Sequence, residues 1–287
     1  MKNFIIRTIT GILCVVVLVG CIVWNPCSEL ALFTIITAMA IWEFTTIVNR
    51  QLELQVNRFI TTVAGAYLFM AVWAFNSNIM GSEVFIPYLI SIIYLLVSEL
   101  YIDRPNNLQN WAFSLMAQLY IAMPFASFNT LCFINTPSGV TYYYWYALSV
   151  FFFLWANDTG AYLVGCTIGK HRLFPRISPK KSWEGSIGGG IVVVIVSQIL
   201  ATFIPFAEGL SSPMMSRALW AGLAVIVVIF GTWGDLVESL IKRRIGIKDS
   251  GNILPGHGGI LDRFDSSLLA IPAAVVYVYT VMLNVIH

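Results

Sequence analysis

Residues 217–265 read RALWAGLAVIVVIFGTWGDLVESLIKRRIGIKDSGNILPGHGGILDRFD. The first half is an apolar run long enough to cross about 30 Å of hydrocarbon as a helix. It ends in acids and a basic triplet. A polar, turn-rich stretch follows, with a proline-glycine turn, a His-Gly-Gly run and the acids Asp249, Asp262 and Asp265. Another apolar run then begins at Ser266. Backbone groups in lipid must be paired internally, so runs of this length are helices and not open strands.

The rest of the chain repeats the pattern. Of its 287 residues 58% are hydrophobic and 10% are charged, and the mean hydropathy is +0.81. A soluble domain carries roughly a quarter of its residues as charges. Too little polar surface is present to coat a water-soluble globule. The expected fold class is therefore all-α, a polytopic integral membrane protein. Nine segments qualify as spans, near 4–24, 28–49, 59–79, 84–101, 111–134, 143–166, 186–206, 217–240 and 266–286.

Lysine and arginine set the expected orientation. With the N-terminus inside, every one except Arg7 and Arg217 falls at the cytoplasmic face, as the positive-inside rule demands. The C-terminus is then outside. Leu18-Val19-Gly20-Cys21 resembles a lipoprotein cleavage site, but with further spans following, the first one is expected to stay as an anchor. Cys14, Cys21, Cys27, Cys132 and Cys166 form no CxxC or Cys/His cluster and read as small core residues. No repeat or soluble domain is visible. The organisation expected is a transmembrane scaffold over 1–142, its first five spans poor in charge, and a catalytic region over 143–287. The latter carries two basic loops, 167–185 and 241–265.

A charge at the centre of a span costs roughly 2.5–3.5 kcal/mol on insertion scales and so marks a site or a buried pair. Asp158 stands late in the sixth span, Asp235 and Glu238 late in the eighth. Asp262 and Asp265 open the ninth. The topology brings these helix ends to one face. Asp262 is also placed to cap the ninth helix, with Asp265 in its first turn. Together the acids suit a hard cation, which takes oxygen ligands and, for magnesium, water and substrate phosphates as well. On the same face Lys180, Lys181 and Lys248 sit in Pro/Gly/Ser turns, where side chains and amides converge on phosphate. Lys170, Arg172 and the triplet Lys242, Arg243 and Arg244 also fit simple anchoring to anionic lipid. Gly258 and Gly259, just before a helix start, suit an anion site. Arg7 and Glu43, near the same ends of adjacent antiparallel spans, are expected to form a scaffold ion pair.

Ser239 to Asp265 resembles the signature of the phosphatidate cytidylyltransferase (CDP-diacylglycerol synthase) family: its serine, paired basic residues, lysine-aspartate, His-Gly-Gly and closing D-R-x-D are all in place. Asn157-Asp158-Thr159-Gly160-Ala161-Tyr162 and Ser178-Pro179-Lys180-Lys181-Ser182-Trp183-Glu184-Gly185 resemble two further blocks of that family. Arg7 and Trp42-Glu43-Phe44 fit it loosely. The resemblance implies an enzyme of a bacterial inner membrane that joins CTP and phosphatidate, giving CDP-diacylglycerol and pyrophosphate. It implies magnesium, with room for a second cation, membrane lipids as surroundings, a homodimer and no nucleic-acid partner. On that reading Asp235 and Asp262, then Asp158 and Asp265, hold metal. Lys180, Lys181, Lys248 and Arg263 hold phosphates, Ser178 donates a hydrogen bond to one, and His257 touches phosphate or nucleotide. The rival readings are a CTP-dependent lipid kinase, which attacks a different phosphorus, and a transporter. A transporter would place paired broken helices in both halves, whereas the polar elements here crowd into one.

Overall fold

The structure is a computed structural model describing residues 2–102, 106–136, 139–204, 213–251 and 258–283, with side chains from residue 9 onward. Its helices are α1 (Lys2–Trp24), α2 (Pro26–Gln51), α3 (Arg58–Asn76), α4 (Ile86–Tyr101), α5 (Asn107–Ala117), α6 (Met123–Cys132), α7 (Trp145–Ile168), α8 (Trp183–Phe203), α9 (Pro213–Ile245) and α10 (Leu261–Tyr277). A 3₁₀ turn over Ser82–Phe85 leads into α4. Among the described residues, eight stretches are helical, long and apolar enough to cross a membrane, and α1 adds the shorter apolar run Ile9–Trp24. The chain is an all-α polytopic membrane protein.

Local chemistry sets the helix limits. Asn25 Oδ1 accepts from Cys27 N at 2.8 Å, with Pro26 in the first turn of α2. Asn57 Oδ1 does the same for Ile60 N at 3.1 Å. Each satisfies an N–H that has no intrahelical acceptor. The stretch expected as a single fifth span is α5 and α6 joined by a π turn over Gln118–Ala122. Pro124, in the first turn of α6, lacks the N–H the ladder needs, and the ladder widens just before it.

Two short antiparallel hairpins interrupt the helices. In one, β1 (Phe133–Thr136) pairs with β2 (Gly139–Tyr142). In the other, β3 (Arg172–Phe174) pairs with β4 (Ser178–Ser182), Arg172 opposite Ser182 and Phe174 opposite Ser178, with a register irregularity between.

The chain divides into two compact units. The first is Met1–Tyr144 with Lys242–Phe264, and the second is Trp145–Ile241 with Asp265–His287. The core of the first is aromatic. Phe33 stacks on Phe128 with ring centroids 4.4 Å apart and on Phe69 at 6.1 Å. Phe264, at the end of the polar segment, meets the edges of Phe33 at 6.5 Å and Phe125 at 5.6 Å. The polar segment is thus pinned to the helical core of its own unit by an apolar residue.

In the second unit α7 and α8 pack backbone to backbone. A Cβ on Gly189 would stand 2.6 Å from Asn157 Oδ1 and 2.8 Å from Asn157 O, so only glycine permits the approach. Trp220, Tyr146 and Phe153 fill its core and are fully buried.

Candidate active site

Within the second unit a hairpin carries lysines to the start of α8. Strand β4 contains Lys180 and Lys181. Its last residue, Ser182, caps α8 by accepting from Gly185 N at 3.1 Å. Glu184, in the first turn of α8, accepts from Lys170 N at 3.2 Å and His171 N at 3.1 Å. His171 Nδ1 lies 2.5 Å from the same carboxylate. Trp183 N donates to His171 O at 2.9 Å. The hairpin is therefore locked to the helix it feeds.

Lys181 then reaches α9. Its Nζ lies 2.5 Å from Asp235 Oδ2. Ser239, one turn on, donates to Asp235 Oδ1 at 3.1 Å. The Lys181 and Asp235 side chains stay 27% and 29% exposed. A pair that wet contributes only about 0–1 kcal/mol to stability, so either partner can change to another ligand at small cost.

The polar segment belongs to the first unit. Asp262 Oδ1 accepts from Lys242 Nζ at 2.7 Å. Its Oδ2 accepts from Ser250 N and Gly259 N, both at 2.9 Å. This pair is drier, the side chains being 15% and 7% exposed. Removing one member of such a pair strands a buried charge, at roughly 3–5 kcal/mol. Asp262 is the second residue of α10 and accepts from N–H groups that precede the helix, so it orders the segment instead of capping the first turn as expected.

Glu43, on α2, closes the same loop from the other side. It is 5% exposed. Its Oε2 accepts from Ile260 N at 3.0 Å and its Oε1 from Leu261 N at 3.2 Å. Ser250 Oγ donates to Oε1 as well and accepts from Asp262 N at 3.3 Å. Gly258 has a φ of +87°, the left-handed region that L side chains rarely adopt, and a Cβ there would stand 2.6 Å from Asp262 Oδ2. A Cβ on Gly259 would overlap Glu43 Oε1 and Ser250 Oγ. The glycine pair makes room for two carboxylates against the backbone.

The other candidate residues are placed as follows. Asp158 is exposed on α7, and Lys180, Lys248 and Arg263 are exposed. Lys180 O accepts from Arg172 Nη1 at 3.4 Å. Asp265 Oδ1 accepts from Ser266 N at 2.5 Å. Ser178 opens β4 opposite Phe174. His257 lies outside the described residues, as does the side chain of Arg7. The expected Arg7–Glu43 pair therefore lies outside the described residues, and among those residues the Glu43 carboxylate faces the polar segment. Among the described residues, no three His, Cys, Asp or Glu side chains gather closely enough to hold a metal ion by themselves.

Reading the sequence did not give Glu43 or Ser250 a role beside the polar segment, and it left Lys242 open between the basic cluster of the site and simple anchoring. A signal for Glu43 existed: it is an acid inside the apolar run AMAIWEFTTIV (38–48).

The sequence model of the cytidylyltransferase family matches residues 5–281, nearly the whole chain. The chain belongs to the cytidylyltransferase family. Relatives that carry the name phosphatidate cytidylyltransferase include a protein of Staphylococcus haemolyticus, 40% identical over 194 residues, 67% of this chain and 68% of its own. One from Staphylococcus aureus strain COL is 40% identical over 185 residues, 64% of this chain and 65% of its own. One from Bacillus subtilis strain 168 is 39% identical over 184 residues, 64% of either chain. This member of the family thus spans about two thirds of the length of each relative. It is a multi-pass membrane nucleotidyltransferase.

Proposed function

We propose that this family member transfers the cytidylyl group of CTP to phosphatidate, giving CDP-diacylglycerol and pyrophosphate. It works at the cytoplasmic face of a bacterial inner membrane, as a homodimer of nine-span chains with the N-terminus inside and the C-terminus outside. One observation carries the reading. In a chain of this family, Lys242–Phe264 is a polar segment between apolar helices, and its acid Asp262 is oriented by Lys242 Nζ, Ser250 N and Gly259 N. Such a segment next to lipid has no packing purpose that a shorter turn would not serve.

The chemistry explains the residues. A phosphate monoester has a second pKa near 6, so the phosphatidate headgroup is largely dianionic at pH 7. It needs no strong general base. Its oxygen attacks the α-phosphorus of CTP. The bond from that phosphorus to the bridging oxygen of the β-phosphate breaks, and pyrophosphate leaves with the electron pair. The obstacle is repulsion between two polyanions, so positioning and charge neutralisation dominate. Lys180, Lys181, Lys248 and Arg263 provide the positive charge, and His257 and Ser178 provide hydrogen bonds to phosphate or nucleotide. Lys181 is held close by Asp235 and can pass to a phosphate at small cost.

Magnesium fits the donor set. Asp235 and Asp262 are hard oxygen donors, and each binds a lysine ammonium in this structure, so each has a cation at its carboxylate. Asp158 and Asp265 are the next candidates. Magnesium needs only one or two carboxylates when substrate phosphates and water supply the rest, so a preformed cage is not required. When bound, the metal neutralises charge on the triphosphate and on the departing pyrophosphate.

The test uses purified protein with phosphatidate, magnesium and CTP labelled at the α or the γ phosphorus. The expected result is α label in lipid and γ label in pyrophosphate. Lipid labelled from γ-labelled CTP would make the protein a lipid kinase. No transfer of either label would remove the enzyme reading and restore the transporter.

A further inference from the structure

We propose that Glu43 is the positioning residue of the transfer reaction, acting through Ser250 and the start of α10 on Asp262. This rests on the cytidylyl-transfer reading above. Its warrant is the hydrogen-bond pattern inside the first unit. Ile260 N and Leu261 N belong to the start of α10, where N–H groups have no intrahelical acceptor. A local Ser, Thr, Asp or Asn ordinarily supplies the cap. The residues just before α10, Gly258, Gly259 and Ile260, have no such side chain. The acceptor comes instead from α2, 217 residues away in sequence.

An imported cap does more than satisfy two donors. Helix α2 packs in an aromatic core, and its Glu43 carboxylate is nearly dry. The start of α10 therefore takes its place from α2. Ser250 Oγ donates to Glu43 and accepts from Asp262 N at 3.3 Å. Ser250 N and Gly259 N, at 2.9 Å each, then aim Asp262 Oδ2. The order runs from Glu43 to Ser250 and the α10 start, and from these to the Asp262 carboxylate. The links to the Glu43 and Asp262 carboxylates are charge-assisted hydrogen bonds, the strong kind, and the one from Asp262 N to Ser250 Oγ is a longer neutral bond. Glu43 touches neither substrate nor metal in this scheme; it fixes the group that does.

Glu43→Gln keeps one acceptor oxygen and puts an amide NH₂ where Oε2 accepts from Ile260 N–H, so one bond becomes a donor-donor clash. Wild-type protein is first shown to transfer the α label. In Glu43→Gln, kcat is expected to fall about 10- to 100-fold, the loss of one or two hydrogen bonds to a charged group. KM for phosphatidate should stay within about twofold. The magnesium concentration for half-maximal activity should rise about tenfold. The thermal stabilisation given by magnesium with CTP should shrink, a readout that needs no turnover and stands even where the transfer assay fails. Ser250→Ala removes the relay hydroxyl but leaves both backbone bonds to Glu43. It should shift the same quantities in the same direction by less, which keeps the idea testable where Glu43→Gln does not fold. A Glu43→Gln enzyme that is less heat-stable but keeps its kcat, magnesium dependence and ligand-induced shift would reduce Glu43 to a scaffold residue. Unchanged values in Ser250→Ala would break the relay.

Discussion

Gly259→Ala puts the loop geometry to a sharp test. The new Cβ would overlap Glu43 Oε1 and Ser250 Oγ. Neither atom is the loose end of a flexible chain. Glu43 accepts from Ile260 N at 3.0 Å, from Leu261 N at 3.2 Å and from Ser250 Oγ. Clearing the methyl requires the carboxylate to leave at least two of these. Hydrogen bonds to a charged group contribute about 1.5–3 kcal/mol each, so the expected loss is about 3 kcal/mol or more. The control is Gly190→Ala on α8, whose Cβ would stand 3.6 Å from Val228, ordinary van der Waals contact. It should leave stability unchanged or raise it by up to about 1 kcal/mol, alanine being the better helix former. Gly258→Ala should fall between the two. It pays roughly 1–2 kcal/mol for the left-handed backbone and meets Asp262 Oδ2 at 2.6 Å. Unfolding of detergent-solubilised protein, followed by tryptophan fluorescence, reads all three. A Gly259→Ala protein within about 1 kcal/mol of wild type would show that Glu43 leaves the loop freely, and the clamp would be wrong.

Two further outcomes follow from the same geometry. Asp235→Asn and Asp262→Asn should each abolish transfer of the α label while the protein stays folded and inserted; residual activity above about a tenth, a loss under ~1.4 kcal/mol, excludes that residue as an essential ligand. In a cysteine-free background, Pro175→Cys should react with an impermeant thiol reagent only from the cytoplasm and Met80→Cys only from outside, and labelling of both from one side would overturn the proposed orientation.

The spans were legible because two crude quantities, length and hydropathy, decide whether a segment enters lipid. The runs expected at 28–49, 143–166 and 217–240 appear as Pro26–Gln51, Trp145–Ile168 and Pro213–Ile245. The hairpins were not legible. Ser178-Pro179-Lys180-Lys181-Ser182 holds no β-branched or aromatic residue and reads as a turn. Strand propensity largely measures packing on a sheet, and here the strand exists only because Arg172–Phe174 lies beside it. The π turn in the fifth span was equally hidden, although Pro124 stands in the sequence to be seen.

The acids were legible for an energetic reason, since a charge placed in an apolar run must be compensated. That logic picked out Asp235 and Asp262, and it applies to Glu43 as well. It could not name the compensator, because hydropathy carries no information on which distant backbone faces which side chain. Arg7 is the expected partner for Glu43 because neighbouring spans run antiparallel; its side chain lies outside the described residues, and the described donors are Ser250, Ile260 and Leu261. Lys242 stayed open between site and anchor because basic residues at a span end commonly are anchors. The Gly258-Gly259 pair suggested an anion for a sound reason, the exposed N–H groups of a helix start. In this structure carboxylates of the chain meet that need: Gly259 N donates to Asp262, and Ile260 N and Leu261 N to Glu43. A helix start cannot leave its first N–H groups without an acceptor. The acid that satisfies two of them from α2 also fixes where Asp262 stands.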